Sequence, residues 1–197
     1  SLSGEFENLR HILDPEFDGF IIDAGAYIGT STIVFSELYP RAKIIAIEPS
    51  TENLSILEKN LRELENIQIV KGALTGFKSP ENTYLIDRNT GEWGYSIISN
   101  TTNSTDTKLI KKLNSVDTYK LQDLINEMDT VGILKMDIEG AEYEIFKNNV
   151  DSLNMIQCVV VELHDRIVNG CSEEFFKFSK DRLVIKDNYE KYLSIKK

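Results

Sequence analysis

Five apolar runs of this chain are followed by residues suited to holding a ligand or handling a proton: Asp23, Glu48, Gly72, Asp137 and His164. Phe20-Ile21-Ile22 leads into the small-residue turn Asp23-Ala24-Gly25-Ala26, where a ligand can come close to the main chain. Gly29-Thr30-Ser31-Thr32 then opens a helix, and the free N–H groups and dipole of such a start suit an anionic or oxygen-rich group. The run KIIAI ends on Glu48, a carboxylate placed to accept ribose hydroxyls. Gly72 and Ala73 after IQIV are small enough to admit a flat ligand group. Asp137 with Glu139, and His164 beyond VVVEL, bring together carboxylates and an imidazole, the groups of general acid–base catalysis. The same three residues could ligate a divalent metal, but no spacing among them demands one and a metal-free site is favoured.

These residues need elements to position them, and apolar periodicity supplies them. Strands are expected at residues 20 to 22, 43 to 48, 67 to 70, 131 to 136 and 157 to 163, with a closing pair at 182 to 186 and 191 to 195 joined by a turn at Asp187-Asn188. Helices are expected at 3 to 13 (with Phe6, Leu9 and Leu13 on one face), 29 to 39, about 51 to 65, 121 to 128, 141 to 150 and 172 to 180. Ser50 is a good N-cap, and Leu54, Leu57, Leu61 and Leu64 form a stripe that serves packing. The alternation breaks between about residues 75 and 115, where strands at 83 to 86 and 95 to 98 around Asn89-Thr90-Gly91 suggest an inserted hairpin carrying Trp93 and Tyr95, followed by a polar loop. Strand and helix otherwise alternate as in a parallel sheet covered on both faces, whose ligands sit at the carboxyl ends of the strands.

Composition narrows the function. The 197 residues suit a single domain, and 22 basic against 32 acidic side chains give a charge of −10, which disfavours nucleic acid as a partner. No apolar run approaches the ~18 residues of a membrane span and no signal sequence opens the chain, so no membrane partner and a cytoplasmic setting are the expectation. Cys158 in a strand and Cys171 in a turn form no disulfide or zinc pattern and read as a buried and a surface thiol. His11 reads as a surface or packing residue, and the sequons at Asn53, Asn100 and Asn103 carry little without a secretory signal. Oligomeric state is not encoded in any recognisable pattern.

The blocks IIDAGAYIG, IAIEPS, VKGAL, SVDTYKLQDLI, ILKMDIEGAEYEIF and VVVELH, in this order, resemble the FkbM family of S-adenosylmethionine-dependent methyltransferases. The resemblance implies a Rossmann-like class I methyltransferase fold, a mostly parallel seven-stranded sheet whose last strand runs antiparallel. It also implies that Asp23, Gly25, Ala26, Tyr27, Gly29 and Thr30 form the cofactor loop. Glu48 with Pro49 and Ser50 would then lie at the ribose, Gly72 and Ala73 near adenine, and Asp137 at the methionine part or the reacting methyl. Tyr27 stands where many methyltransferases have glycine and would crowd or cover the site.

Methyl transfer to a hydroxyl requires positioning and removal of a proton. His164 is the first choice of base, as a neutral imidazole near pH 7, with Asp137 and Glu139 as the other candidates. Glu142 and Glu144 read as a solvated helix face, and Lys135 as the partner of a nearby carboxylate. The expected acceptor is a small molecule or saccharide. A nicotinamide-dependent oxidoreductase would share the glycine turn and the ribose acid, but GAYIG lacks the G-x-G-x-x-G pattern. A cofactor-binding protein without catalysis would also keep Asp23 and Glu48.

Overall fold

β-branched runs bounded by glycine, proline and polar turns set the frame of the computed structural model, which describes residues 7–76, 83–87, 95–99, 111–188 and 190–197. In chain order its elements are β1 (Phe20–Ala24), α1 (Thr30–Leu38), β2 (Lys43–Glu48), α2 (Thr51–Leu61), β3 (Ile67–Lys71), β4 (Ala73–Thr75), β5 (Thr83–Asp87), β6 (Tyr95–Ser99), β7 (Lys111–Ser115) and β8 (Thr118–Lys120). There follow α3 (Leu121–Asn126), β9 (Val131–Met136), α4 (Glu142–Asn148), α5 (Val150–Asn154), β10 (Cys158–Glu162), α6 (Cys171–Phe178), β11 (Leu183–Asn188) and β12 (Lys191–Ile195).

Seven strands form one sheet in the order β11-β12-β10-β9-β1-β2-β3. β10, β9, β1, β2 and β3 are mutually parallel, and β12 runs antiparallel to both β10 and β11. The direction of strand succession reverses between β1 and β9, so the crevice of the switch point opens beyond Ala24 and Met136. Strand alternation divides the core between two faces. Ile22, Ala24, Leu134 and Met136 pack with Phe146, Leu153 and Phe175 of α4, α5 and α6, while Ile21, Ile44 and Ile133 pack with Phe35 of α1 and Tyr39. The Leu54, Leu57 and Leu61 stripe is buried on β2 and the loop after β1, with Leu64 beside it.

The start of the described chain is a 3-10 turn, Glu7–His11, rather than a helix over 3 to 13; Phe6 lies outside the described residues. A run stopped so soon by Asp14-Pro15 is too short to support a helix alone, and it is held instead by Tyr39, whose hydroxyl donates to the Leu9 carbonyl and accepts from the Leu13 N–H. The single helix expected at 141 to 150 is broken at Asn149, which leaves helical geometry (φ −126°, ψ 31°) while its Nδ2 donates to the Gly76 carbonyl at 2.9 Å. Asp187 and Asn188 belong to β11 and are not its turn. Between β3 and β9 the strands at 83 to 87 and 95 to 99 do pair, but β7 adds a third strand on the other side of β5, and β4 pairs with β8 in parallel. Asn89-Thr90-Gly91, Trp93 and the polar loop with Asn100 and Asn103 lie outside the described residues. Cys171, expected in a surface turn, instead opens α6 and is as fully buried as Cys158, because it lies with Phe175 and Phe178 on the α6 face that packs with Ile145 and Phe146 of α4.

Candidate active site

Asp23 organises the first loop from beneath. Its carboxylate is completely buried and accepts from the Ser31 and Thr32 hydroxyls at 2.6 Å each, fixing the start of α1, which has only Gly29 at its N-cap. Its other oxygen lies 3.2 Å from Lys135 Nζ. That ammonium, largely buried near the end of β9, also donates to the Gly25 carbonyl at 2.8 Å and lies 3.9 Å from Asp137. Burial alone would lower the Lys135 pKa, but Asp23 and Asp137 outweigh it and raise the value, so the side chain stays a cation. Gly25 (φ 75°) is a glycine for a steric reason as well: a Cβ there would sit 1.9 Å from the Asp137 carbonyl oxygen. The loops after β1 and β9 therefore touch through their main chains.

A cavity of about 360 Å³ lies above this contact, lined at one end by Gly25, Tyr27, Glu48, Pro49 and Asn53 and at the other by Asp137, Glu139, Glu162 and Arg166. Gly72, Ala73, Leu74, Ile138 and Ala141 complete its walls. Glu48, almost wholly buried, accepts from the Tyr27 N–H (2.9 Å), the Ser50 N–H (2.9 Å) and Asn53 Nδ2 (3.1 Å). Its burial raises its pKa, and these donors pull in the opposite direction. A carboxylate has about four acceptor sites, so three donors leave capacity on the side that faces the cavity. Tyr27 is held in the left-handed region (φ 52°), which turns its N–H toward Glu48.

Of the residues expected at the cofactor, Gly25, Tyr27, Glu48, Pro49, Gly72, Ala73 and Asp137 line the cavity. The others do not. Asp23 and Ala26 are buried below it, Gly29 faces Leu57 and Leu61, Thr30 points to solvent and Ser50 caps α2 by accepting from the Asn53 N–H. Gly72 also serves packing, since a Cβ there would meet the Asp117 carbonyl at 2.6 Å.

The second cluster is built on β9 and β10. His164 follows Leu163 under the loop after β9 and is completely buried. Its Nδ1 lies 3.0 Å from Glu142, which also accepts from the N–H groups of Ile138 (3.0 Å) and Gly140 (2.8 Å). Glu142 is thus fully buried, contrary to the expected solvated helix face: the loop folds back over the first turn of α4, and its N–H groups and the imidazole all need an acceptor. Only Glu144 behaves as expected, bonding Asn148 on the partly exposed side. Glu139 sits in the left-handed region (φ 51°), followed by Gly140 (φ 101°), and this tight turn brings its carboxylate back toward β10.

His164 Nε2 has no hydrogen-bond partner, yet three carboxylate oxygens surround it: Glu139 Oε1 at 3.6 Å, Asp137 Oδ1 at 3.7 Å and Glu162 Oε1 at 3.8 Å. Burial would lower the imidazole pKa, but the hydrogen bond and charge of Glu142, with Glu139 and Asp137, raise it to about 9. A sealed histidine so stabilised as a cation does not match the expected neutral base near pH 7. Glu139 is raised by its own burial, opposed by His164 and Arg166. Glu162, Asn53 and Arg166 were not singled out from the sequence. Glu162 carried a legible signal, an acid closing an apolar strand as Glu48 does, whereas Asn53 and Arg166 lie in ordinary polar surroundings.

The sequence matches the family model described as Methyltransferase FkbM domain over residues 23–183. Methyltransferase 1 of Beauveria bassiana is 30% identical over 164 residues, covering 75% of this chain and 66% of the relative. Hexuronic acid methyltransferase AglP of Haloferax volcanii is 25% identical over 167 residues, covering 83% of this chain and 64% of the relative. The chain thus spans just under two thirds of the length of each. The crystal structure of Methyltransferase FkbM from Methylobacillus flagellatus superposes with a TM-score of 0.56 over 91% of this chain and 44% of its own, at 17% identity, which establishes a shared class I methyltransferase fold.

Proposed function

Because the chain belongs to the FkbM methyltransferase family, we propose that it transfers the methyl group of S-adenosylmethionine to a hydroxyl of a small molecule, a saccharide foremost. The observation that carries this reading is the single cavity shared by Glu48 at one end and Asp137, Glu139 and Glu162 at the other. The donor set fits the cofactor. Glu48 has acceptor capacity for ribose hydroxyls, Gly72 and Ala73 leave room for a flat base, and the Gly25 main chain closes on the amino-acid end. When bound, the cofactor supplies a methyl group already activated by the positive charge of its sulfonium.

The chain's own tasks are then to orient the acceptor and take its proton. Asp137, with about a third of its side chain exposed, and Glu139 both reach the cavity and serve as the acceptors of that proton. His164 and Glu142 act from beneath by holding the loop after β9 in place. Arg166, half exposed at the rim, adds a guanidinium suited to a carboxylate or other anionic group on the acceptor. A saccharide bearing an acid group agrees with this cation and with the printed name of the Haloferax relative.

Titration calorimetry with S-adenosylhomocysteine tests the cofactor, and transfer of labelled methyl to a panel of neutral sugars, uronic acids and small alcohols tests the acceptor. Binding in the micromolar range and label on an oxygen are expected. Absence of binding below about 1 mM would end the cofactor assignment, and label on nitrogen or carbon would end the hydroxyl assignment.

A further inference from the structure

We propose that Asp137, Glu162 and His164 form a binding site for a first-row divalent cation, with Glu139 as a fourth donor. One ligand atom from each of the first three lies within 4.8 Å of the others. His164 Nε2 is completely buried, lacks a hydrogen-bond partner and is aimed into the cluster. This is the disposition of a metal-bound histidine, whose other ring nitrogen donates to a carboxylate that fixes the ring, here Glu142 at 3.0 Å.

The carboxylates are oriented as a shell would need. Asp137 turns Oδ2 toward Lys135 (3.9 Å) and Oδ1 toward His164. Glu139 turns Oε2 toward Arg166 (3.8 Å) and Oε1 toward His164. Glu162 turns Oε2 toward Lys191 (3.5 Å) and Oε1 toward His164. Each outer oxygen faces a lysine or arginine of the protein, and each inner oxygen turns toward the unpartnered His164 Nε2. The inner oxygens lie 3.6–3.8 Å from Nε2, too far for hydrogen bonds. Ligands at about 2.0–2.2 Å from a common ion stand roughly 3–3.6 Å apart, and the 3.6–3.8 Å from Nε2 to the inner oxygens comes within a few tenths of an ångström of that spacing. One imidazole with carboxylates favours Mn²⁺, Fe²⁺ or Zn²⁺ over Ca²⁺ or Mg²⁺.

The site opens on the acceptor end of the cavity, through Asp137, Glu139 and Glu162. A hydroxyl ligated there becomes more acidic and gives its proton to a neighbouring carboxylate. This role rests on the methyl-transfer reading; the binding itself does not.

The test is titration of chelator-treated protein with Mn²⁺, followed by the loss of the free-ion electron paramagnetic resonance signal and by calorimetry. We expect one ion per chain, affinity at least tenfold weaker in D137N and in E162Q, and no change in E144Q, whose side chain points away. A rise in melting temperature on adding Mn²⁺ is expected for the native protein and lost in E162Q, whose folded state is checked by circular dichroism. Binding of Mn²⁺ and Zn²⁺ only at millimolar concentration, or with equal affinity in all variants, would overturn the site. A parallel S-adenosylhomocysteine titration keeps the two claims apart: cofactor binding without ion binding removes only the cation, and ion binding without cofactor binding removes only the methyl-transfer reading.

Discussion

Replacing Glu142 by alanine should be among the most damaging single changes on the active-site side of the sheet, and its cost can be worked from the contacts. The carboxylate accepts from Ile138 N–H, Gly140 N–H and His164 Nδ1, and its side chain is wholly buried. Leaving one buried donor without an acceptor costs about 1–3 kcal/mol, and three donors sharing one network do not add fully. A loss of about 3–6 kcal/mol results, a large fraction of the 5–15 kcal/mol typical of a domain. Glutamine keeps one oxygen for Ile138 and His164 but turns an amide NH₂ toward Gly140, so Glu142→Gln should cost about 1–3 kcal/mol. Glu144→Ala, two positions away on the same helix and bonded only to Asn148, should stay within about 0.5 kcal/mol. Urea unfolding followed by circular dichroism reads all three as shifts of midpoint at constant slope. If Glu142→Ala costs no more than Glu144→Ala, the carboxylate does not hold the loop after β9.

Three further outcomes are expected. Glu48→Gln, which keeps much of the local hydrogen bonding but removes the charge, should weaken S-adenosylhomocysteine binding about 10- to 100-fold in calorimetry, as charge-assisted bonds worth about 1.5–3 kcal/mol are lost; unchanged affinity would remove Glu48 from the ribose. Gly25→Ala should lower the melting temperature sharply, because its Cβ would lie 1.9 Å from the Asp137 carbonyl oxygen and its φ is positive; a normal melting curve would contradict the close contact of the two loops. Neither thiol should react with Ellman's reagent in native protein, since burial raises both Cys158 and Cys171 to about 12. The same shifts set a pH window: the protonated thiols favour the folded state, so this contribution is complete below the ordinary value of 9.0 and falls away as pH rises from there toward 12. Rapid labelling of either thiol before unfolding would refute the burial of the cysteine labelled.

Much of the scaffold was legible because its signals are local. The strand over 131 to 136 and the closing strand over 191 to 195 fall where their apolar runs placed them, and Glu48 and Asp137 were visible as acids at strand ends. The misreadings share a physical cause, which is that polar side chains used inwardly look like polar side chains used outwardly. Glu142 sits in the first turn of a helix, where acids are favoured electrostatically whichever way they face, and only the loop folding back over it makes it an interior acceptor. Asp23 has the position of a ligand-binding acid but satisfies Ser31 and Thr32 within the fold. His164 follows an apolar strand directly, and no periodicity tells whether such a residue rises into the crevice or turns beneath it. Asn149 breaks a helix for a carbonyl more than seventy residues away, a contact that exists only once the sheet is assembled.

The contact of Gly25 with the Asp137 main chain divides the cavity into what can be exchanged and what cannot. The gap between its two ends is gauged by backbone against backbone, with the Lys135 ammonium pinning the Gly25 carbonyl from below. Ile138, Ala141 and Arg166 also line the cavity, but their side chains are no part of the main-chain contact that sets that gap. Repertoires of variants at these three positions should therefore retune which molecule is accepted while leaving the span across which the ends face each other unaltered, so the chain offers a fixed gauge with an interchangeable die.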